Sequence, residues 1–268
     1  MIHTELLATV NLIEELNTKT LFGPFSLGPF DLVFTSHMLV IALAAILLMI
    51  TLPLSLHRPR LVPCGFANLI ETVCVFLRED VAAPFLKDRT DRYIPVLWTL
   101  FFYILTMNLL GLTPLKQIYW MITQRPNDFG GAPTANIWIT GALATFSFLL
   151  FHLAGIFEQG FWNYLKSMCP PVPWFIRPFM FVMELLSSFV RLFSLAIRLF
   201  ANILAGHILL SVIMGFIFIY KNFMVATVSI TGAILMSFLE IFVAFLQAYI
   251  FVFLTTIFIS FAISHEEH

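Results

Sequence analysis

Two apolar stretches near the end of the chain, 178–220 and 223–264, contain no internal proline. Each is about 40 residues long, or roughly 60 Å as α-helix. A bilayer core is about 30 Å thick, so either stretch is twice what a perpendicular crossing needs. Two such helices must tilt strongly, bend or extend beyond the bilayer. The only polar break between them is Lys221-Asn222, so they read as one long antiparallel hairpin. Composition supports a membrane setting. Hydrophobic residues make up 60% and charged residues 11%, and mean hydropathy is +0.95. A soluble surface could not be covered from this stock. The expected fold is an all-α polytopic membrane protein with about five spans and a surface amphipathic helix.

The remaining segments follow from breaks in the apolar pattern. Residues 1–31 form an outer-side N-terminal segment, with a short amphipathic helix over 4–16 and a local repeat of turn character, Phe22-Gly23-Pro24-Phe25 and Leu27-Gly28-Pro29-Phe30. Spans are expected at 32–54, 93–112 and 135–157, with Pro59 and Pro63 ending the first. Residues 64–86 are apolar but interrupted by Glu71, Arg78, Glu79 and Asp80, which suits a helix lying on the membrane surface. Residues 158–174 form a second surface segment. Arg58, Arg60, Arg78, Lys87, Arg89 and Arg92 crowd one inter-span region, whereas the next loop holds only Lys116 and Arg125. The positive-inside rule then places 58–92 inside, the N-terminus and the Lys221 tip outside, and the C-terminal His265-Glu266-Glu267-His268 inside. No basic n-region precedes a short apolar core, so no cleaved signal peptide is expected.

Net charge is −1, which argues against nucleic acid as a partner. Cys64, Cys74 and Cys169 form no pair with metal-ligand spacing, and no phosphate loop, His-Glu-x-x-His helix or haem-like histidine pairing is present. Neither a metal nor a cofactor is expected.

Arg198 lies deep inside the first hairpin stretch, far in sequence from Glu184 and Glu240. Its guanidinium does not deprotonate, and a mid-membrane charge costs at least ~3 kcal/mol on insertion scales. Such a charge points to an ion pathway or to a carboxylate supplied by another chain. On a helical wheel Glu184, Ser187, Arg191, Ser194, Asn202 and Ala205 fall within roughly 40° of Arg198, and Ala201 within roughly 60°. Small residues there serve ordinary helix packing, or a smooth track for a partner that slides past. Residues equidistant from the Lys221-Asn222 turn come level: Arg198 with Gln247, and His207 with Glu240. A straight neighbouring helix cannot meet both Arg198 and His207, so direct contact is expected for at most one pair. His207 and Glu240 suit a proton relay, or a hydrogen-bonded pair that joins two helices. Glu184 suits a relay site near the inner surface, or a partner for Arg191. His37 and His152 read as lone packing histidines within spans.

Arg198-Leu199-Phe200-Ala201-Asn202, Ala205-Gly206-His207 and Leu246-Gln247-Ala248-Tyr249 resemble the signatures of the subunit a family of F-type ATP synthases. Glu184 stands where that family carries an acid fourteen residues before its essential arginine. Asn108-Leu109-Leu110-Gly111-Leu112-Thr113-Pro114 and Pro133-Thr134-Ala135 also resemble it, and the likeness spans most of 31–262. Many bacterial members carry an acid at the position of His207 and a histidine at that of Glu240. The two are exchanged here, as in mitochondrial members and their bacterial relatives. The acid often found after Pro-Thr/Ser-Ala is Asn136 here, which puts a relay role there in doubt.

The resemblance implies a stator subunit without a catalytic site of its own, facing a c-ring and held by b-type peripheral-stalk subunits. Arg198 would be the essential gate, with His207 and Glu240 in an outer proton half-channel and Glu184 in an inner one. Asn202, Gln247 and Arg191 would be supporting polar groups, and Ser187, Ser194, Ala201 and Ala205 would face the rotor. The implied location is the bacterial inner membrane or, alternatively, the mitochondrial one. Two rival classes fit less well. A secondary transporter would show inverted repeats and broken helices, and a structural anchor would not need Arg198.

Overall fold

The computed structural model describes residues 20–27, 30–56, 65–113, 133–167 and 175–263. The expected helix over 4–16, Arg58 and Arg60, the Lys116–Arg125 loop and the C-terminal 265–268 segment lie outside the described residues. In chain order the elements are β1 (Thr20–Leu27), β2 (Phe30–Thr35), α1 (Ser36–Leu56) and α2 (Phe66–Phe76). A π-helical turn (Leu77–Ala82), α3 (Ala83–Leu86), a 3-10 turn (Lys87–Arg89) and α4 (Thr90–Leu112) follow. Then come α5 (Ile137–Gln159), α6 (Phe161–Ser167), α7 (Arg177–Tyr220) and α8 (Phe223–Ile263). Five helical stretches among the described residues are long and apolar enough to cross a membrane, so the all-α membrane fold holds.

One addition precedes the first helix. β1 and β2 pair antiparallel from Thr20↔Thr35 to Leu27↔Phe30, where the sequence suggested only turns. The register slips between Phe22 and Phe25, at Gly23-Pro24, because proline has no N–H to give the ladder. With residues 30–35 in a strand, the first helix starts at Ser36 rather than at 32.

Helix α7 has 44 residues and α8 has 41. Lys221 takes a left-handed φ of 46° between them. Asn222 Oδ1 accepts the Met224 N–H at 3.0 Å and so caps α8. The hairpin contributes to two compact units. The first comprises Met1–Ile50, Tyr103–Asn136 and Leu199–Gln247; the second comprises Thr51–Phe102, Ile137–Arg198 and Ala248–His268.

In the first unit, His37, Val40 and Ala44 of α1 form a buried stripe at helical spacing. Asn108 of α4 is fully buried, with Nδ2 3.5 Å from the Ala244 carbonyl.

In the second unit the core runs along Ala248, Phe251, Val252, Thr255, Thr256 and Ile259 of α8. Ser147 Oγ and Thr255 Oγ1 are 2.6 Å apart, and Gln159 Nε2 donates to the Ala262 carbonyl at 2.8 Å. Over 66–86, Ile70, Leu77, Val81 and Leu86 are buried while Glu71, Arg78, Glu79 and Asp80 are exposed. Phe66, Leu69, Val75 and Phe76 are exposed as well, and Lys87, with φ 48°, separates the segment from α4. Glu158 at the end of α5 accepts from Arg92 and from the Tyr93 hydroxyl, with Arg89 at 3.5 Å. Sequence reading assigned Glu158 no role.

Candidate functional site

The first unit holds the near-turn part of the hairpin. Gly206 on α7 lies directly against Glu240 on α8. A Cβ added to Gly206 would come 2.5 Å from Glu240 Oε1 and 3.2 Å from its Cδ and Cγ. Only glycine leaves room for the carboxylate, which is buried, and its Oε1 has no hydrogen-bond partner among the described residues. His207, half-buried, is the next residue on α7. Its expected level with Glu240 thus agrees with the observed register.

Asn202 Nδ2 donates to Gln247 Oε1 at 2.8 Å. Sequence position had put Gln247 level with Arg198; its hydrogen-bond partner is the asparagine one helical turn further along. Gln247 is 1% exposed, and its Nε2 has no partner among the described residues; the same holds for Asn108 Oδ1. Glu240, Ala244 and Gln247 share one face of α8, so Asn108, bonded at Ala244, sits between the two polar side chains. Sequence reading noticed Asn108 only within a familiar motif. Its signal was an amide in the middle of an apolar span. Ala201 and Ala205 are exposed.

The second unit holds the other part. Arg198 is half-buried and lines an open groove of about 430 Å³ with Ser187, Arg191, Ser194 and Leu254. Arg198 makes no ion pair among the described residues. Ser187 is half-buried and Ser194 exposed. Arg191 Nη2 is 3.7 Å from Glu184 Oε1, and its guanidinium lies 5.3 Å from the Phe258 ring centroid. Both ion-pair partners keep about a third or more of the side chain exposed, 32% and 41%, so the pair is weak and Glu184 remains accessible.

Sequence reading took His152 as packing. Its ring does pack against Phe148 and Phe151, but its Nδ1 is also 2.7 Å from the Tyr164 hydroxyl. Burial pushes the Tyr164 hydroxyl up to about 12; Glu184 adds to the rise and Arg191 opposes it. Tyr164 therefore keeps its proton at any ordinary pH. Among the described residues no cluster of His, Cys, Asp and Glu could hold a metal ion.

The chain is a helical membrane protein with a buried carboxylate and amides in one part of its hairpin and arginines on an open groove in another. The comparisons name the group. The ATP synthase A chain family matches residues 36–260. ATP synthase subunit a of Myxococcus xanthus (strain DK1622) is 39% identical, over 90% of this chain and 78% of its own. The Chloroherpeton thalassium (strain ATCC 35110 / GB-78) protein of the same name is 37% identical, over 90% and 70%. ATP synthase subunit a 2 of Prosthecochloris aestuarii (strain DSM 271 / SK 413) is 35% identical, over 90% and 72%. The chain belongs to the ATP synthase A chain family.

Proposed function

We propose that this chain is the proton-conducting stator subunit of an F-type ATP synthase, working against a c-ring and held by b-type peripheral-stalk subunits. The observation that carries the reading is Arg198, a guanidinium inside a membrane span that lines an open groove. A permanent charge there calls for a carboxylate from another chain. A proton enters from the outer side past His207 and Glu240 and neutralises a c-subunit carboxylate, which then turns into lipid. After nearly a full turn that carboxylate reaches a second aqueous path near Glu184 and releases its proton inward. Glu240 Oε1, Gln247 Nε2 and Asn108 Oδ1 support a hydrated outer path, since buried polar atoms without protein partners commonly bind water. Arg198 repels a proton crossing directly and attracts the emptied carboxylate. The exposed Ser194, Ala201 and Ala205 let the rotor helix pass. A potential of 100 mV supplies about 2.3 kcal/mol per charge, so a leak past Arg198 would waste the gradient.

The bacterial relatives support a bacterial plasma membrane; the orientation, N-terminus outside and C-terminus inside, rests on the positive-inside rule alone. The test is Arg198→Ala in inverted vesicles. Assembly is expected to hold, while ATP-driven acidification is lost and protons leak. Acidification near the normal rate would refute the assignment.

A further inference from the structure

The tip of the hairpin plays no part in the reading above. Lys221 is the only lysine, arginine, aspartate or glutamate between Arg198 and Glu240. Apolar side chains crowd it on both sides. Phe218, Ile219, Phe223 and Met224 are all exposed, Phe223 at 88%. A loop projecting into water would not carry such a patch. The tip therefore belongs at the membrane surface, with its lysine among lipid headgroups. Lys221 also holds the left-handed turn, with φ 46°. Glycine would make that turn without strain, so the backbone does not call for a lysine there.

An open groove of about 400 Å³ begins at this turn. Phe216 and Tyr220 of α7 line it, one helical turn apart, with ring centroids 6.2 Å from each other. Met224, Val225, Val228 and Ser229 of α8 complete it. All six belong to one compact unit. Apart from the buried Ser229 and the Tyr220 hydroxyl, the lining is apolar. Aromatic rings and an adaptable methionine suit a hydrocarbon chain. The mouth of the groove is positive. The C-terminal end of α7 and the N-terminal end of α8 adjoin there, so their opposite dipoles largely offset each other and Lys221 sets the sign. Asn222 uses Oδ1 to cap α8, which leaves its Nδ2 hydrogens as further donors.

We propose that the hairpin tip binds one anionic glycerophospholipid, its phosphate on Lys221 and one acyl chain in the groove. A zwitterionic lipid offers the same chain without net negative charge, so the lysine makes the site selective. One basic residue at a membrane surface favours the anionic lipid by roughly fivefold.

The test uses the assembled complex in phosphatidylcholine vesicles holding a small share of a probe lipid with a photoactivated diazirine on its acyl chain. One probe has a phosphatidylglycerol headgroup and the other a phosphatidylcholine headgroup. Label on residues 216–229 is read by mass spectrometry. The exposed α1 surface at Met49 is the reference for lipid contact of any kind. The expected result is about fivefold more label on 216–229 from the anionic probe, with equal label at Met49. Lys221→Gln should bring that ratio close to one, and Lys221→Arg should keep it. Val225→Trp fills the groove and should remove the label on 216–229 while sparing Met49. Inorganic phosphate should not compete, since it lacks the chain. Equal labelling of 216–229 by the two probes in the wild-type complex would overturn the proposal, and that comparison needs no variant. An anionic preference unchanged by Lys221→Gln would do the same. So would absence of label on 216–229 together with crosslinking of Val228→Cys to another subunit, which would make the groove a protein contact.

Discussion

Gly206→Ala tests whether the position of the Glu240 carboxylate, rather than its mere presence, matters. The new methyl would sit 2.5 Å from Oε1 and 3.2 Å from Cδ and Cγ. Rotating the carboxylate alone relieves only the first contact, so the whole side chain has to withdraw. Overpacking of this kind costs about 1–3 kcal/mol. Alanine in place of a helical glycine returns about 1 kcal/mol of helix propensity. The two effects leave a net cost of about 0–2 kcal/mol, below the roughly 5–15 kcal/mol of ordinary folding stability, so assembly is expected to hold. Function is less forgiving, since a misplacement of about 1 Å in a reacting group can cost about a hundredfold. The expected outcome is near-normal assembled enzyme with proton-driven ATP synthesis reduced by about tenfold or more.

The rescue distinguishes this geometry from general damage. Glu240→Asp shortens the side chain by one methylene and withdraws its carboxylate from the new methyl. Glu240→Asp alone should slow synthesis, while Gly206→Ala with Glu240→Asp should exceed Gly206→Ala alone. The assay is ATP synthesis in inverted vesicles at fixed proton-motive force, normalised to assembled enzyme. Wild-type rates in Gly206→Ala, or a double variant no faster than that single one, would refute the reasoning.

Exchanging His207 and Glu240 extends the same argument: each single replacement should lose much of the synthesis, and the double exchange should recover part of it. A double exchange no better than the worse single variant would favour a pair that only joins helices. Away from the hairpin, Glu158→Gln should lower the thermal midpoint of the purified complex more than Asp91→Asn. The Glu158 side chain is 13% exposed and faces two arginines, whereas that of Asp91 is 76% exposed beside one; equal shifts would contradict this ranking.

The hairpin was legible because its signal is local: length, absence of proline and one polar break. Lys221-Asn222 marked the turn by composition, and the structure adds the cause, a left-handed Lys221 followed by an asparagine cap. Counting outward from that turn also gave the level of His207 with Glu240, since Gly206 does meet Glu240. The same count set Gln247 level with Arg198, but level alone does not choose a hydrogen-bond partner, and Gln247 bonds Asn202.

What stayed hidden depends on chain segments far apart in sequence. Tyr93 and Glu158 are 65 residues apart, and Asn108 and Ala244 are 136 apart; no window along the chain contains either pair. His152 and Tyr164 fail for another reason, being only 12 residues apart. Gly160 bends the chain between them with a left-handed φ of 79°, and Gly155 lets the tyrosine ring close onto α5. Gly155 and Gly160 thus turn a lone span histidine into half of a polar pair. The lesson applies to Gly206 as well. In a membrane helix, where nearly every side chain is apolar, a small residue says where a polar one from another helix has room to sit.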